Sequence, residues 1–120
     1  MYDVIGDIHG CAEELADLLE RLGYVQQSGV FRHPSRKVIF CGDFIDRGPK
    51  IRETLHLVRD MCETNQALAV MGNHEYNAIC FHTPHTQQGG FFRSYSLKEI
   101  NQHIETMRQF AHFQSEWESF

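Results

Sequence analysis

The sequence predicts an α/β fold: a β-α-β-α-β core with a parallel sheet, followed by C-terminal helices. Three observations lead there. Apolar runs lie at residues 1–5, 38–41 and 67–71, each ends in a glycine-flanked polar cluster, and stripes at helical spacing separate them. Successive parallel strands need crossover connections, and helices of this length supply them.

Met1 to Ile5 reads as a short strand that stops at Gly6-Asp7-Ile8-His9-Gly10. From Cys11 the pattern turns helical, with Leu15, Leu18, Leu19 and Leu22 on one stripe. Glu13 and Glu14 suit the first turn, where the helix dipole favours negative charge, and Gly23 ends the helix. Between Tyr24 and Lys37 the signal is weaker. Val30-Phe31 suggests a short strand between the turn signals Ser28-Gly29 and Pro34-Ser35.

Val38-Ile39-Phe40-Cys41 is the next strand, with Cys41 expected in the core alongside Cys62. Behind it comes Gly42-Asp43-Phe44-Ile45-Asp46-Arg47-Gly48-Pro49, and then a helix whose stripe is Ile51, Leu55, Val58 and Met61 or Cys62. Ala67 to Met71 forms the third run, which ends at Gly72-Asn73-His74-Glu75 and opens a helix toward Cys80. Thr83 to Tyr95 reads as a loop. Ser96 and Glu99 have the form of a capping box for a helix with the stripe Leu97, Ile100, Ile104 and Met107. Phe110, Phe113, Trp117 and Phe120 continue apolar spacing to the last residue.

The 120 residues suffice for one small domain, 1–120, divided into a motif-bearing core (1–80) and a loop-and-helix segment (81–120). Three strands leave sheet surface and edges to cover. The expectation is the front part of a longer domain, with self-association through the C-terminal aromatic stripe as the other way to cover it. A net charge of -5 argues against a nucleic-acid polymer as partner. No apolar run approaches a membrane span. Cys11, Cys41, Cys62 and Cys80 form no Cys-x-x-Cys pair, and no secretion signal is visible, so free thiols in a reducing, cytoplasmic setting are expected.

The polar clusters sit at the carboxyl ends of strands, where open α/β sheets bind ligands. Asp7 and His9 offer a carboxylate oxygen and an imidazole nitrogen to one divalent ion; Asp43 offers two oxygens able to bridge two ions, and Asn73 an amide oxygen. Such a mixed donor set suits two borderline divalent metals, Mn, Fe or Zn. A pair of ions about 3.5–4 Å apart can clamp a phosphate and generate a nucleophile from water. His74 could donate a proton to the leaving oxygen if Asp46 orients it, and Arg47 offers a planar fork to phosphate oxygens. Each cluster alone could be an acidic cap on a strand–helix turn. Three in order outweigh that reading.

Asp7-Ile8-His9, Gly42-Asp43-Phe44-Ile45-Asp46-Arg47-Gly48 and Gly72-Asn73-His74-Glu75 resemble the first three motifs of the calcineurin-like metallophosphoesterases. The Asp-Arg-Gly and Asn-His-Glu forms resemble the branch holding phosphoprotein phosphatases and symmetrical dinucleoside-tetraphosphatases. The resemblance covers about residues 1–80 and implies the front half of an αββα sandwich. It implies that Asp7 and His9 hold the first metal, that Asp43 bridges and that Asn73 holds the second. It gives His74, paired with Asp46, the role of acid and Arg47 that of phosphate holder, with Asn73 and His74 also facing substrate. Glu75 is expected to be structural, at the start of the next helix.

The implied activity is that of a dimetal phosphoesterase acting on phosphomonoesters, as of phosphoproteins, or on dinucleoside polyphosphates through metal-activated water. Family members complete the site with histidines from two later motifs. Here His82, His85, His103 and His112 follow His74 without the matching glycine-histidine context. His82 and His85 read as solvated loop residues, and His103 and His112 as surface or packing residues. The alternative is therefore a non-catalytic metal-binding or interaction fragment. A dinucleotide-binding domain is weaker still, because Gly6 to Gly10 puts charge where a pyrophosphate needs bare backbone.

Overall fold

A computed structural model describes residues 1–82 and 97–111. In chain order its elements are β1 (Tyr2–Ile5), α1 (Ala12–Arg21), β2 (Val25–Gln27), β3 (Val30–Arg32), β4 (Lys37–Phe40), α2 (Ile51–Glu63), β5 (Ala67–Ala69), α3 (Asn73–His82) and α4 (Leu97–Gln109). Strands β1, β4 and β5 make a parallel sheet in that order, with Ile5 opposite Phe40 and Val38 opposite Ala67. This is the predicted β-α-β-α-β core, with a hairpin inserted before β4.

The period of two along each strand sorts the sheet into unlike faces. Asp3, Ile5, Val38, Phe40 and Ala67 are buried. All but Asp3 belong to a core that includes Leu15 and Leu19 of α1 and Ile51, Val58 and Met61 of α2. Burying a side chain the size of Leu19 or Met61 contributes about 1.5–3 kcal/mol. The other face carries Tyr2, Val4 and Leu68, which are 54%, 68% and 55% exposed. Apolar residues thus line a face that the described elements leave open.

Some predicted positions shift. Cys41 is exposed and not core, because β4 ends at Phe40 and Cys41 falls on the opposite parity. Leu18, assigned to the stripe of α1, is exposed, so the buried face of that helix is narrower than its leucine spacing suggests. Strand β2 had no sequence signal, since all of Val25–Gln27 is exposed. Its hairpin is closed by Ser28 and Gly29, whose φ values of 54° and 81° match the primed turns that two-residue hairpins favour.

Below that hairpin, Asp3 is held from two sides. The Tyr24 hydroxyl donates to Asp3 Oδ2 at 2.8 Å, and Arg36 donates through Nε to Oδ2 at 2.9 Å and through Nη2 to Oδ1. The Arg36 bonds hold the Asp3 carboxyl below its ordinary range. Burial, with the Asp3 carboxylate beside it, pushes the Tyr24 phenol up. This cluster ties the strand to the chain on either side of the hairpin.

The C-terminal helix differs most from expectation. Ile104 is 49% exposed, whereas His103 and Thr106 are 5% and 1% exposed. Phe110, just past the helix, is buried in the common core. At these positions the buried face of α4 runs through His103 and Thr106 and not through Ile104. The Thr83–Tyr95 loop, the Ser96 cap, His85, His112 and the aromatic stripe beyond Ala111 lie outside the described residues.

Candidate functional site

The first two polar clusters are stitched together by backbone. His9 N–H donates to Asp43 O at 2.9 Å, Gly10 N–H to Phe44 O at 2.7 Å and Lys50 N–H to Gly10 O at 2.9 Å. The approach is so close that a Cβ on Gly48 would collide with the His9 and Gly10 backbone, and one on Gly72 with Asp43. Glycine is required at both places.

Asp7, His9, Asp43, Asp46 and Arg47 all have positive φ, from 46° to 74°. Each left-handed residue other than glycine costs about 1–2 kcal/mol, and such strain concentrates where function needs a fixed geometry. The third cluster supplies the restraint. Glu75, at the start of α3, accepts from the backbone amides of Asp43 and Gly72 through Oε1 and of Phe44 and Ile45 through Oε2. The structural role expected for Glu75 takes this form: one carboxylate clasps the loop that carries Asp43.

Asp7, His9 and Asp43 each bring one donor atom within 4.8 Å of the other two, a spacing able to hold a cation. The chemistry of the donors fits a divalent metal. His9 Nδ1 lies 2.9 Å from Ile45 O, which can only accept, so Nδ1 carries the proton and Nε2 is left as the ligand nitrogen. Asp43 Oδ1 accepts from His74 N–H at 3.0 Å, which fixes the carboxylate. Asn73 is exposed at the first turn of α3, between Gly72 and His74, both of which contact Asp43.

Beside this group stands the pair His74 and Asp46. His74 Nδ1 is 2.8 Å from Asp46 Oδ2, and its ring meets the His9 ring edge-on with centroids 4.5 Å apart. Burial alone would raise the Asp46 carboxyl. Hydrogen bonds from His103, Thr106 and His74 outweigh that and hold it below its ordinary range. A carboxylate in that position fixes the Nδ1–H tautomer of His74 and leaves Nε2 facing away from Asp46. Arg47 is exposed and, among the described residues, forms no ion pair.

Sequence reasoning predicted the helix α4 but missed its contacts with the site. His103 Nδ1 lies 2.7 Å from Asp46 Oδ1, and the Thr106 hydroxyl donates to the same oxygen at 2.6 Å. Thr106 Oγ1 also accepts from Asp46 N–H at 2.9 Å. One turn on, Gln109 accepts from Ile51 N–H and donates to Gly48 O. The signal was present as polar residues at 103, 106 and 109, three apart on one helical face. It was outweighed by the apolar Ile104 and Met107 beside it. His82 ends α3, and the loop histidine pair predicted as solvated is otherwise outside the described residues.

The calcineurin-like phosphoesterase family model matches residues 2–118. Similar curated proteins are the asymmetrical bis(5'-nucleosyl)-tetraphosphatases PrpE. That of Halalkalibacterium halodurans is 43% identical over 74 residues, 61% of this chain and 30% of the relative. The protein of Bacillus subtilis is likewise 43% identical over 74 residues with the same shares, and that of Geobacillus thermodenitrificans is 45% identical over 73 residues, 60% of this chain and 30% of the relative. The matched stretch thus spans under a third of the length of these relatives. With the motifs, the fold and the family match in agreement, the chain belongs to the calcineurin-like phosphoesterase family.

Proposed function

We propose that this chain carries the amino-terminal half of a dimetal phosphoesterase site, and that the site hydrolyses phosphoanhydrides of dinucleoside polyphosphates, with phosphomonoesters as simpler substrates. The observation that carries this reading is the juxtaposition of the Asp7-His9-Asp43 donor group with the His74–Asp46 pair, in T-shaped contact at the His9 and His74 rings. The names of the relatives favour dinucleoside tetraphosphates over phosphoproteins as the physiological class.

Asp7 and His9 would hold one ion, Asp43 would bridge, and Asn73 would hold the second. When bound, divalent ions at this position supply Lewis acidity toward the phosphate and lower the pKa of a nearby water. Manganese, iron or zinc suits the donors. His74 donates a proton from Nε2 to the leaving oxygen, while Asp46 keeps its Nδ1 protonated and its ring aimed. Arg47, at the exposed edge of the same loop, draws two phosphate oxygens into its fork.

The open apolar face of the sheet supports a single domain in which further chain packs over Tyr2, Val4 and Leu68. No described helix is long and apolar enough to cross a membrane. The free thiols of Cys11, Cys41 and Cys62 suit a cytoplasmic setting. The test is Mn-dependent hydrolysis of p-nitrophenyl phosphate and of a dinucleoside tetraphosphate, with metal stoichiometry. It is run on the 120 residues and on any longer product of the gene. Turnover that tracks bound metal supports the reading. Metal binding without turnover in either product favours a non-catalytic metal-binding module.

A further inference from the structure

We propose that α4 is the positioning element of the acid: His103 and Thr106 hold the Asp46 carboxylate in the one orientation that aims His74, with Gln109 anchoring the helix to the same loop. The inference rests on the phosphoesterase reading for its catalytic consequence, and on the geometry alone for its structural part.

Asp46 has a positive φ of 69° and a buried side chain, so neither its backbone nor its carboxylate is at rest without partners. Thr106 answers both needs with one atom. Its Oγ1 accepts from Asp46 N–H at 2.9 Å and donates to Asp46 Oδ1 at 2.6 Å. This two-way clasp ties the left-handed backbone to the side chain it must orient. His103 adds a donor to Oδ1 at 2.7 Å. With Oδ1 doubly engaged, Oδ2 is left for His74 at 2.8 Å.

A carboxylate held only by His74 could rotate and share either oxygen, and the ring would swing with it. Three donors at two oxygens remove that freedom. Gln109 extends the contact by donating to Gly48 O at 2.9 Å, in the turn that leads into α2. His103 is not a member of the Asp7-His9-Asp43 group, and the Thr106 and Gln109 side chains bond to Asp46, Gly48 and Ile51. Their effect therefore falls on proton transfer and not on metal retention. The burial of His103 and Thr106 on α4, in preference to Ile104, is what such a role requires.

The test uses the longest active product of the gene and four variants. Thr106→Val and His103→Phe remove a donor at nearly constant shape. Thr106→Ser and His103→Asn keep a donor in about the same place. With phenyl phosphate, Thr106→Val and His103→Phe are expected to lower kcat about 10–100-fold, the scale of lost orienting bonds, with KM held within about twofold. Dinitrophenyl phosphate, whose leaving group needs no proton, should show a much smaller loss. The Ser and Asn variants should recover most of the rate, and manganese stoichiometry should be unchanged throughout. Equal losses on both esters, or losses that follow KM or bound metal, overturn the positioning role.

Nitrogen-15 spectra of the His74 ring, recorded at alkaline pH without metal, supply a readout independent of turnover. Wild type should show the Nδ1–H tautomer, and Thr106→Val a mixture. A His74 signal identical in all folded variants overturns the inference. A tautomer that shifts in Thr106→Val, in a protein that hydrolyses neither ester, sustains the positioning and overturns the phosphoesterase reading instead.

Discussion

Two buried aspartates divide the labour of this chain. Asp3, on β1, faces Arg36 and Tyr24; Asp46, after β4, faces His74, His103 and Thr106. Both carboxyls are held below their ordinary range, yet the partners differ in kind. A guanidinium is permanently charged and has no proton to exchange near neutral pH, so the Asp3 cluster can only hold the fold together. An imidazole can gain and lose a proton, so the Asp46 cluster can hold a geometry and also pass a proton on. The backbone agrees with that division. Positive φ values gather in the Asp7–His9 and Asp43–Arg47 loops, while Asp3 lies in a regular strand.

Substitutions can break this comparison at either end. The largest effect is expected from Asp43→Asn, which should lower hydrolysis on the order of a thousandfold or more, while substitution of His82 changes it little. Equal losses at both positions would show that the donor group is misassigned. Next, His74→Ala should cost about 10²–10³-fold on a poor leaving group and clearly less on an activated aryl phosphate, read from kcat on the two esters. Glu75→Gln should weaken manganese affinity about 10–100-fold by loosening the Asp43 loop, measured by metal titration.

At the other end the expected effects are smaller and of a different sort. Tyr24→Phe removes one buried hydrogen bond to Asp3 and should destabilise the fold by about 1 kcal/mol, seen in the urea midpoint, without touching metal affinity. Acid adds a final contrast. The folded pKa of Asp3 lies below its unfolded value of about 3.9, so its contribution is complete above that pH and is lost as pH falls through the folded value. Wild type should therefore lose stability progressively below about pH 4, and Asp3→Asn should flatten that part of the profile, measured by urea unfolding at each pH.

Much of the metal-side geometry was legible because it is written in local sequence. Apolar runs ending in Asp-x-His, Gly-Asp and Gly-Asn-His place donors at strand ends, and the strand ends meet because β1, β4 and β5 are parallel neighbours. The close backbone approach that requires glycine at 48 and 72 emerges only in the fold. Contacts between distant segments were not legible. His103 lies 57 residues from Asp46 and read only as a surface or packing residue, because nothing nearby in sequence reveals that a buried carboxylate needs donors. The burial of His103 and Thr106 in place of Ile104 has the same cause. An unsatisfied carboxylate costs more than leaving Ile104 half in water, so polar pairing decided which residues face inward at this turn. Arg36 was equally silent: its partner is 33 residues away, across the hairpin.

The most direct test of the central claim is a manganese titration of the 120-residue chain, followed by electron paramagnetic resonance, on wild type, Asp43→Asn and Asp3→Asn. Saturable binding that Asp43→Asn abolishes and Asp3→Asn preserves is the predicted result. Binding that survives Asp43→Asn undiminished in a folded protein would contradict the account, because the metal would then lie elsewhere than between the strand ends.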